Sequence, residues 1–187
     1  VKDKCFITGF KKPKDRKALE RENRDKLILM VAQQMLGEGG LQALSMQSIA
    51  DRTDYSKGTI YQHYRCKEDV IARLVIDRGQ LLVAYIEGAL ALGKSLREKI
   101  VLVSSVFFMN ARLEPELSCL VSNIQSADFK VKISKPYQDE IAKIDGQMLQ
   151  CALSLFDDGV GFDQQQKLDA TFGWWAMQWG VLDLLAN

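Results

Sequence analysis

Histidine, proline and cysteine are scarce in this sequence, and each scarcity excludes something. The 187 residues hold one histidine, three prolines and four cysteines. Any Ser-His-Asp or Cys-His arrangement would have to be built on His63. Lys57, Tyr61 and Tyr64 nearby in sequence supply no such partner, so no catalytic residue and no enzyme activity is expected. Cys5, Cys66, Cys119 and Cys151 are widely spaced and show no zinc-type pattern. They read as unpaired thiols in a reducing compartment, with no metal site; a thiol-based redox sensor is the sharper alternative, which nothing in the sequence favours. No run of about 18 apolar residues occurs, so no helical membrane span is expected. The first residues, VKDKCFITGFKKPKDRK, are basic but lack the apolar stretch of a secretory signal. A cytoplasmic location is the expectation. Gly37, Gly39 and Gly40 lack the Lys-Ser/Thr that follows a phosphate-cradling loop. No cofactor is expected, and there is no internal repeat or low-complexity segment.

What is present is apolar and helical in rhythm. Hydrophobic residues make up 47% of the chain, enough for a substantial core. The net charge of +1 hides a segregation: residues 1–67 carry 14 Lys and Arg against 8 Asp and Glu, whereas residues 68–187 carry 11 against 16. A basic third beside an acidic remainder points to nucleic acid. A solvated basic tail is the plainer alternative.

The most informative stretch is SMQSIADRTDYSKGTIYQHYRCK, from Ser45 to Lys67. Ser45 can cap a short helix on which Met46, Ile49 and Ala50 share one face. Thr53 to Ser56 break that pattern. Ser56 can cap a second helix, expected from Lys57 to Tyr64, with Ile60 and Tyr64 turned inward. Lys57, Thr59, Tyr61, Gln62 and His63 then face outward. A short helix anchored on one face and rich in donors on the other is what major-groove reading requires. Lys57 and the Gly58 N–H sit at the positive end of the helix dipole, suited to a phosphate or an electronegative base edge. Thr59 and Tyr61 can reach base edges, and Gln62 can bond adenine twice. His63 and Lys67 are better placed for the backbone.

From Glu22 to Leu74 the chain resembles the DNA-binding domain of the tetracycline-repressor family of bacterial transcriptional regulators. The resemblance rests on LGEGGLQALSMQSIA and on SKGTIYQHYRCKEDV, in which Lys57-Gly58-Thr59, Tyr61, Tyr64 and Lys67-Glu68 match the family spacing. It implies that Tyr61 contacts DNA and that Tyr64 packs inside. The sequence departs from the pattern at Asp54, where the family usually has Gly, and at Tyr55, where it has a small aliphatic residue. Asp tolerates a left-handed backbone better than most residues, so the turn is expected to survive. Tyr55 is expected to be partly exposed and to reach DNA. The expected DNA-binding set is Ser45, Gln47, Tyr55, Ser56, Lys57, Gly58, Thr59, Tyr61, Gln62, His63 and Lys67.

The expected fold is all-α: a mobile basic arm (1–15), a three-helix helix-turn-helix domain (16–67), and a larger helical domain for ligand binding and dimerisation (68–187). The first helix should run from Arg16 to Leu36 and end at Gly37-Glu38-Gly39-Gly40. A long helix should follow from Lys67 to Ala91. Residues 95–112 are apolar nearly all round from Ile100 to Met109, which predicts a buried central helix. Residues 124–135 are ambiguous, irregular or helical. Helices should then run from Pro136 to Phe156, ended by Asp157-Asp158-Gly159, and from Gln164 onward. Phe107, Phe108, Met109 and Met148 are candidates for a ligand pocket, or simply fill the core. In the Trp-rich last helix, Phe172, Gly173, Ala176, Trp179 and Gly180 are candidates for a dimer face; a pocket wall is the other reading. Asn187 falls inside an apolar helix with no capping signal, and family members often carry one more helix.

The resemblance implies a homodimeric repressor that binds a palindromic operator on double-stranded DNA and is released by a small apolar or amphipathic molecule. A ligand-independent or activating regulator is the alternative within that class. An all-helical carrier or enzyme for an apolar ligand is the alternative outside it.

Overall fold

The computed structural model describes residues 13–113, 115, 120, 124, 126–156 and 161–186. The first twelve residues of the expected arm, Cys5, Cys119 and the Asp157-Asp158-Gly159 stop lie outside them. Among the described residues every regular element is a helix. The chain divides into two compact units, one ending at His63 and one beginning at Tyr64. The sequence places the boundary after Lys67.

The first unit contains α1 (Pro13–Ala43), α2 (Met46–Thr53) and α3 (Lys57–Tyr61). α1 buries Ile28, Val31, Ala32, Met35 and Leu36, a stripe at helical spacing that forms the core face. The helix begins at Pro13, so residues 13–15, expected in the arm, are helical. It breaks inside the expected Gly37-Glu38-Gly39-Gly40 stop, later than the expected bound at Leu36. The helical run passes through Gly37 to Gly39 and breaks at Gly40, whose φ of 61° and ψ of −159° suit a residue without Cβ. Within that run the Glu38 carboxylate accepts bonds from Gln34 on α1 and Arg52 on α2. The Arg52 bond, and then the Gln34 bond, hold the Glu38 carboxyl below its usual range.

α2 is fixed by a reciprocal cap. The Ser48 N–H donates to Ser45 Oγ, and the Ser45 N–H donates to Ser48 Oγ, both at 3.0 Å. Met46, Ile49, Ala50 and Thr53 are buried. Asp54 ends the helix in the left-handed region at φ 55°, and its N–H bonds the Ala50 carbonyl. The turn thus keeps the geometry for which the family pattern uses Gly.

The second unit contains α4 (Lys67–Leu92), α5 (Leu96–Leu113), α6 (Ala127–Lys132), α7 (Lys135–Ser154) and α8 (Gln164–Ala186). α4 packs against α5 and α7, and α8 lies on both of those. At Gly79 a Cβ would meet Ile144 Cγ2 at 2.9 Å, so α4 and α7 approach where α4 has no side chain. One apolar cluster joins Leu82 and Ile86 of α4, Val103 of α5, Cys151 of α7 with its C-cap Leu155, and Trp174 of α8. The start of α7 is held by α4. Asp69, 2% exposed, accepts bonds from the Ser134 N–H at 2.8 Å and from the Ser134 hydroxyl. Arg65 donates to the Lys132 carbonyl at 2.6 Å beside it.

α5 differs from the expected buried central helix. Only Val103 is buried along it, while Val101 and Met109 are 56% and 62% exposed. The apolar residues surround α5, but α4 and α8 cover only part of it. The ambiguous stretch resolves as α6, capped by the Ser126 hydroxyl, so FKVKI forms no strand.

Candidate nucleic-acid interface

α3 is short because its ends are both determined locally. Ser56 caps it, accepting the Thr59 N–H at 3.1 Å, and its hydroxyl lies 2.9 Å from Thr59 Oγ1. The helix stops at Tyr61, three residues before the expected end, with Gln62 as its C-cap. Ile60 is fully buried and is the anchor that fixes α3 against the unit. Tyr64 is buried as well.

Around that anchor the outward face presents Lys57, Gly58, Tyr61 and Gln62, all exposed. Tyr61 keeps 49% of its surface open. At Gly58 a Cβ would meet only Ser56 Oγ, at 3.7 Å, so another molecule's backbone or phosphate can come close. Ser45 and Ser56 are exposed but spend their hydroxyls on caps. Gln47 is exposed and donates to Asp51 at 2.7 Å, a bond on the surface of α2. Tyr55, Thr59 and Lys67 are half-buried.

His63 sits differently from the expected outward set. Its side chain is 5% exposed, and Nδ1 lies 3.3 Å from the Asp25 carboxylate on α1. α3 ends before His63, so the residue leaves the helix face and turns inward. It positions the end of α3 and presents little surface to DNA. The Asp25–His63 and Glu38–Arg52 pairs escaped the sequence reading, since partners 38 and 14 residues apart leave no local periodicity.

The expected pocket residues separate. Phe107 is half-buried and edge-on to Trp174, with ring centroids 5.8 Å apart. Met148 packs against the same apolar cluster. Phe108 is half-buried, and Met109 faces solvent, away from any such cluster. The expected dimer-face residues stay together: Phe172, Gly173, Ala176, Trp179 and Gly180 are all exposed on α8. Beyond Gly173 and Gly180 a Cβ meets nothing within 4 Å. Trp174, by contrast, is buried, so the tryptophans of α8 serve two faces.

Burial pushes the Cys66 and Cys151 thiols above their usual range. Raised thiols are poor nucleophiles, which argues against a redox role for these two. Among the described residues no group of three or more His, Cys, Asp or Glu could hold a metal, and no helix is long and apolar enough to cross a membrane.

The sequence pattern of bacterial regulatory proteins of the tetR family matches residues 28–74, from the buried stripe of α1 through α2 and α3 into α4. Solved structures share the fold over most of the chain. A TetR/AcrR-family transcriptional regulator from Thermobifida fusca is 21% identical over 83% of this chain and 82% of its own, with a TM-score of 0.67. The regulator FadR from Bacillus subtilis, in complex with stearoyl-CoA, is 19% identical over 87% of this chain and 97% of its own, with a TM-score of 0.62. A ketosteroid transcriptional regulator of Mycobacterium tuberculosis is 18% identical over 86% of this chain and 82% of its own, with a TM-score of 0.62.

Proposed function

This chain is a member of the tetR family of bacterial regulatory proteins by its residues 28–74, and from that premise we propose that it represses transcription as a ligand-released homodimer. Its place is the bacterial cytoplasm, where the operator is. The observation that carries the reading is the face of α3: Lys57, Gly58, Tyr61 and Gln62 exposed over a fully buried Ile60. Such a helix is rigid from behind and open in front, as base reading requires. The surplus of Lys and Arg over residues 1–67 supports phosphate binding.

A palindromic operator presents half-sites about 34–36 Å apart, which a two-fold dimer matches. The exposed apolar face of α8 supports that dimer. The second unit is the seat of the effector. One similar structure holds stearoyl-CoA and another is a ketosteroid regulator, which supports an apolar or amphipathic molecule here. A ligand that binds better to the wrong separation of the two α3 helices lowers DNA affinity by that difference.

The test is a gel shift of the purified chain on the DNA upstream of its own gene, at two salt concentrations. Retarded bands that weaken steeply with salt are expected. No retardation at low salt would sink the reading and favour an all-helical carrier.

A further inference from the structure

The first turns of α1 carry a charge pattern that their own ion pairs do not absorb. Positions 17, 21, 24, 28, 31 and 35 follow steps of four and three and so form one stripe of the helix. From Ile28 onward that stripe is core, because Ile28, Val31 and Met35 are buried. Before Ile28 the same stripe is Lys17, Arg21 and Arg24. Residues 16–23 are all exposed and Arg24 is half-buried, so α1 overhangs the core of its unit by about two turns.

The acids of this overhang are engaged elsewhere. Glu20 pairs with Arg16 at 3.2 Å and Glu22 with Lys26 at 2.7 Å, and the stripe includes none of the four. Asp25 meets His63 Nδ1 at 3.3 Å. Among the described residues no carboxylate pairs with Lys17, Arg21 or Arg24. Like charges at i, i+4 destabilise a helix, so this arrangement gives α1 no support of its own. It suits an anionic partner laid along the stripe. The Asp25–His63 contact says where that partner lies. His63 follows Gln62, the C-cap of α3, so the stripe begins beside the end of α3 and runs away from it. From Arg24 to Lys17 it extends about 10 Å at about 1.5 Å per residue. One strand of DNA advances about 3.4 Å per phosphate, so about three phosphates span that length.

We propose that Lys17, Arg21 and Arg24 form a second DNA contact, which grips the sugar-phosphate backbone bordering the groove that α3 enters. The contact reads no bases, since exposed Lys and Arg side chains with nothing to hold them present charge and no fixed fork. This rests on α3 being the operator-reading helix and adds a separate element to the same interface.

The test compares two doubles that remove the same charge from the full chain. Lys17→Gln/Arg21→Gln strips two exposed positions of the stripe. Arg16→Gln/Lys26→Gln strips two paired positions on other sides of the same helix. Each is titrated over a salt series with the duplex upstream of the chain's own gene and with a duplex of unrelated sequence. The stripe double should weaken binding to both duplexes by the same factor, roughly tenfold or more at low salt, and flatten the log–log salt slope by about two units. The control double should keep nearly the parent's slope. Both should melt at the parent's Tm, and selection from randomised operators should return the parent's consensus for the stripe double. An unchanged slope for the stripe double overturns the proposal and leaves the stripe a solvated face. Equal flattening by the two doubles also overturns it, since the net charge of α1 and not the stripe would then act. An altered consensus overturns the claim that only the backbone is gripped. In each of these cases a parent that still shifts its operator keeps the regulator reading intact. A parent that binds neither duplex at low salt removes both.

Discussion

Neighbouring residues on α3 perform opposite tasks, and substitution should separate them. Lys57 is exposed, whereas Ile60 is fully buried. Lys57→Ala should leave Tm nearly unchanged, weaken operator binding, and flatten its log–log salt dependence by about one unit. Ile60→Ala should instead cost about 2–5 kcal/mol of stability in a denaturant melt, because the cavity cannot close fully. An unaltered salt slope for the Lys57 variant would remove that residue from the interface. Glu38 gives a pH signature. Its bonds to Arg52 and Gln34 lower its folded pKa below the unfolded one. The stabilisation is therefore present above the ordinary glutamate range and lost as pH falls through the folded value. Comparing Glu38→Gln with the parent, the Tm difference should be present at about pH 6 and shrink as pH falls below the ordinary glutamate range. A gap that persists in acid would mean that the ion pair is not its source. Both side chains are exposed to solvent, so the gap should be small and shrink with salt.

Elements meet through a few fixed contacts. Asp69 near the start of α4 takes both the N–H and the hydroxyl of Ser134, the N-cap of α7. Asp69→Asn offers one acceptor in place of two and turns an amide N–H₂ toward a donor. A loss of about 1–3 kcal/mol is expected in urea unfolding, as for other buried bonds to charged groups. A variant as stable as the parent would show that Ser134 finds another acceptor. α8 makes the opposite case, an element with a free side. A side chain at Gly180 meets nothing within 4 Å, so Gly180→Arg should be tolerated within the protomer. If α8 forms the dimer face, the variant should sediment as a monomer and lose most operator affinity, because one α3 makes too few contacts. A dimeric variant still bound to DNA would place the interface elsewhere.

Across the whole molecule charge is segregated along the chain, with residues 1–67 basic and the remainder acidic. The acidic part is repelled by phosphates, so binding to duplex of unrelated sequence should depend on the basic third alone. Affinity for such DNA should fall by roughly a thousandfold or more between about 50 and 200 mM salt if six or more phosphates are engaged. A much shallower slope for the intact chain would mean that few phosphates are contacted.

The sequence by itself determined the helices, the capped turn and the anchor of α3. These are local matters: Ser45 and Ser56 reach an N–H three residues on, Asp54 accepts a left-handed backbone, and Ile60 marks the inward face. The match of Lys57-Gly58-Thr59 and Tyr61 to the family spacing was legible for the same reason. Only the tertiary structure decided which apolar faces are covered. Residues 100–109 carry apolar side chains on every side, and a sequence without partners reads that as burial. α4 and α8 cover part of α5 and leave Val101 and Met109 in water. The Gly37-Glu38-Gly39-Gly40 segment reads as a helix stop, and only the folded backbone shows that the left-handed residue is Gly40, its last member. His63 looked like an outward donor until Asp25 drew it in. Hydrogen bonds within four residues are written in local sequence. Burial and ion pairing between distant residues are not, because they depend on which surfaces meet after the chain has folded.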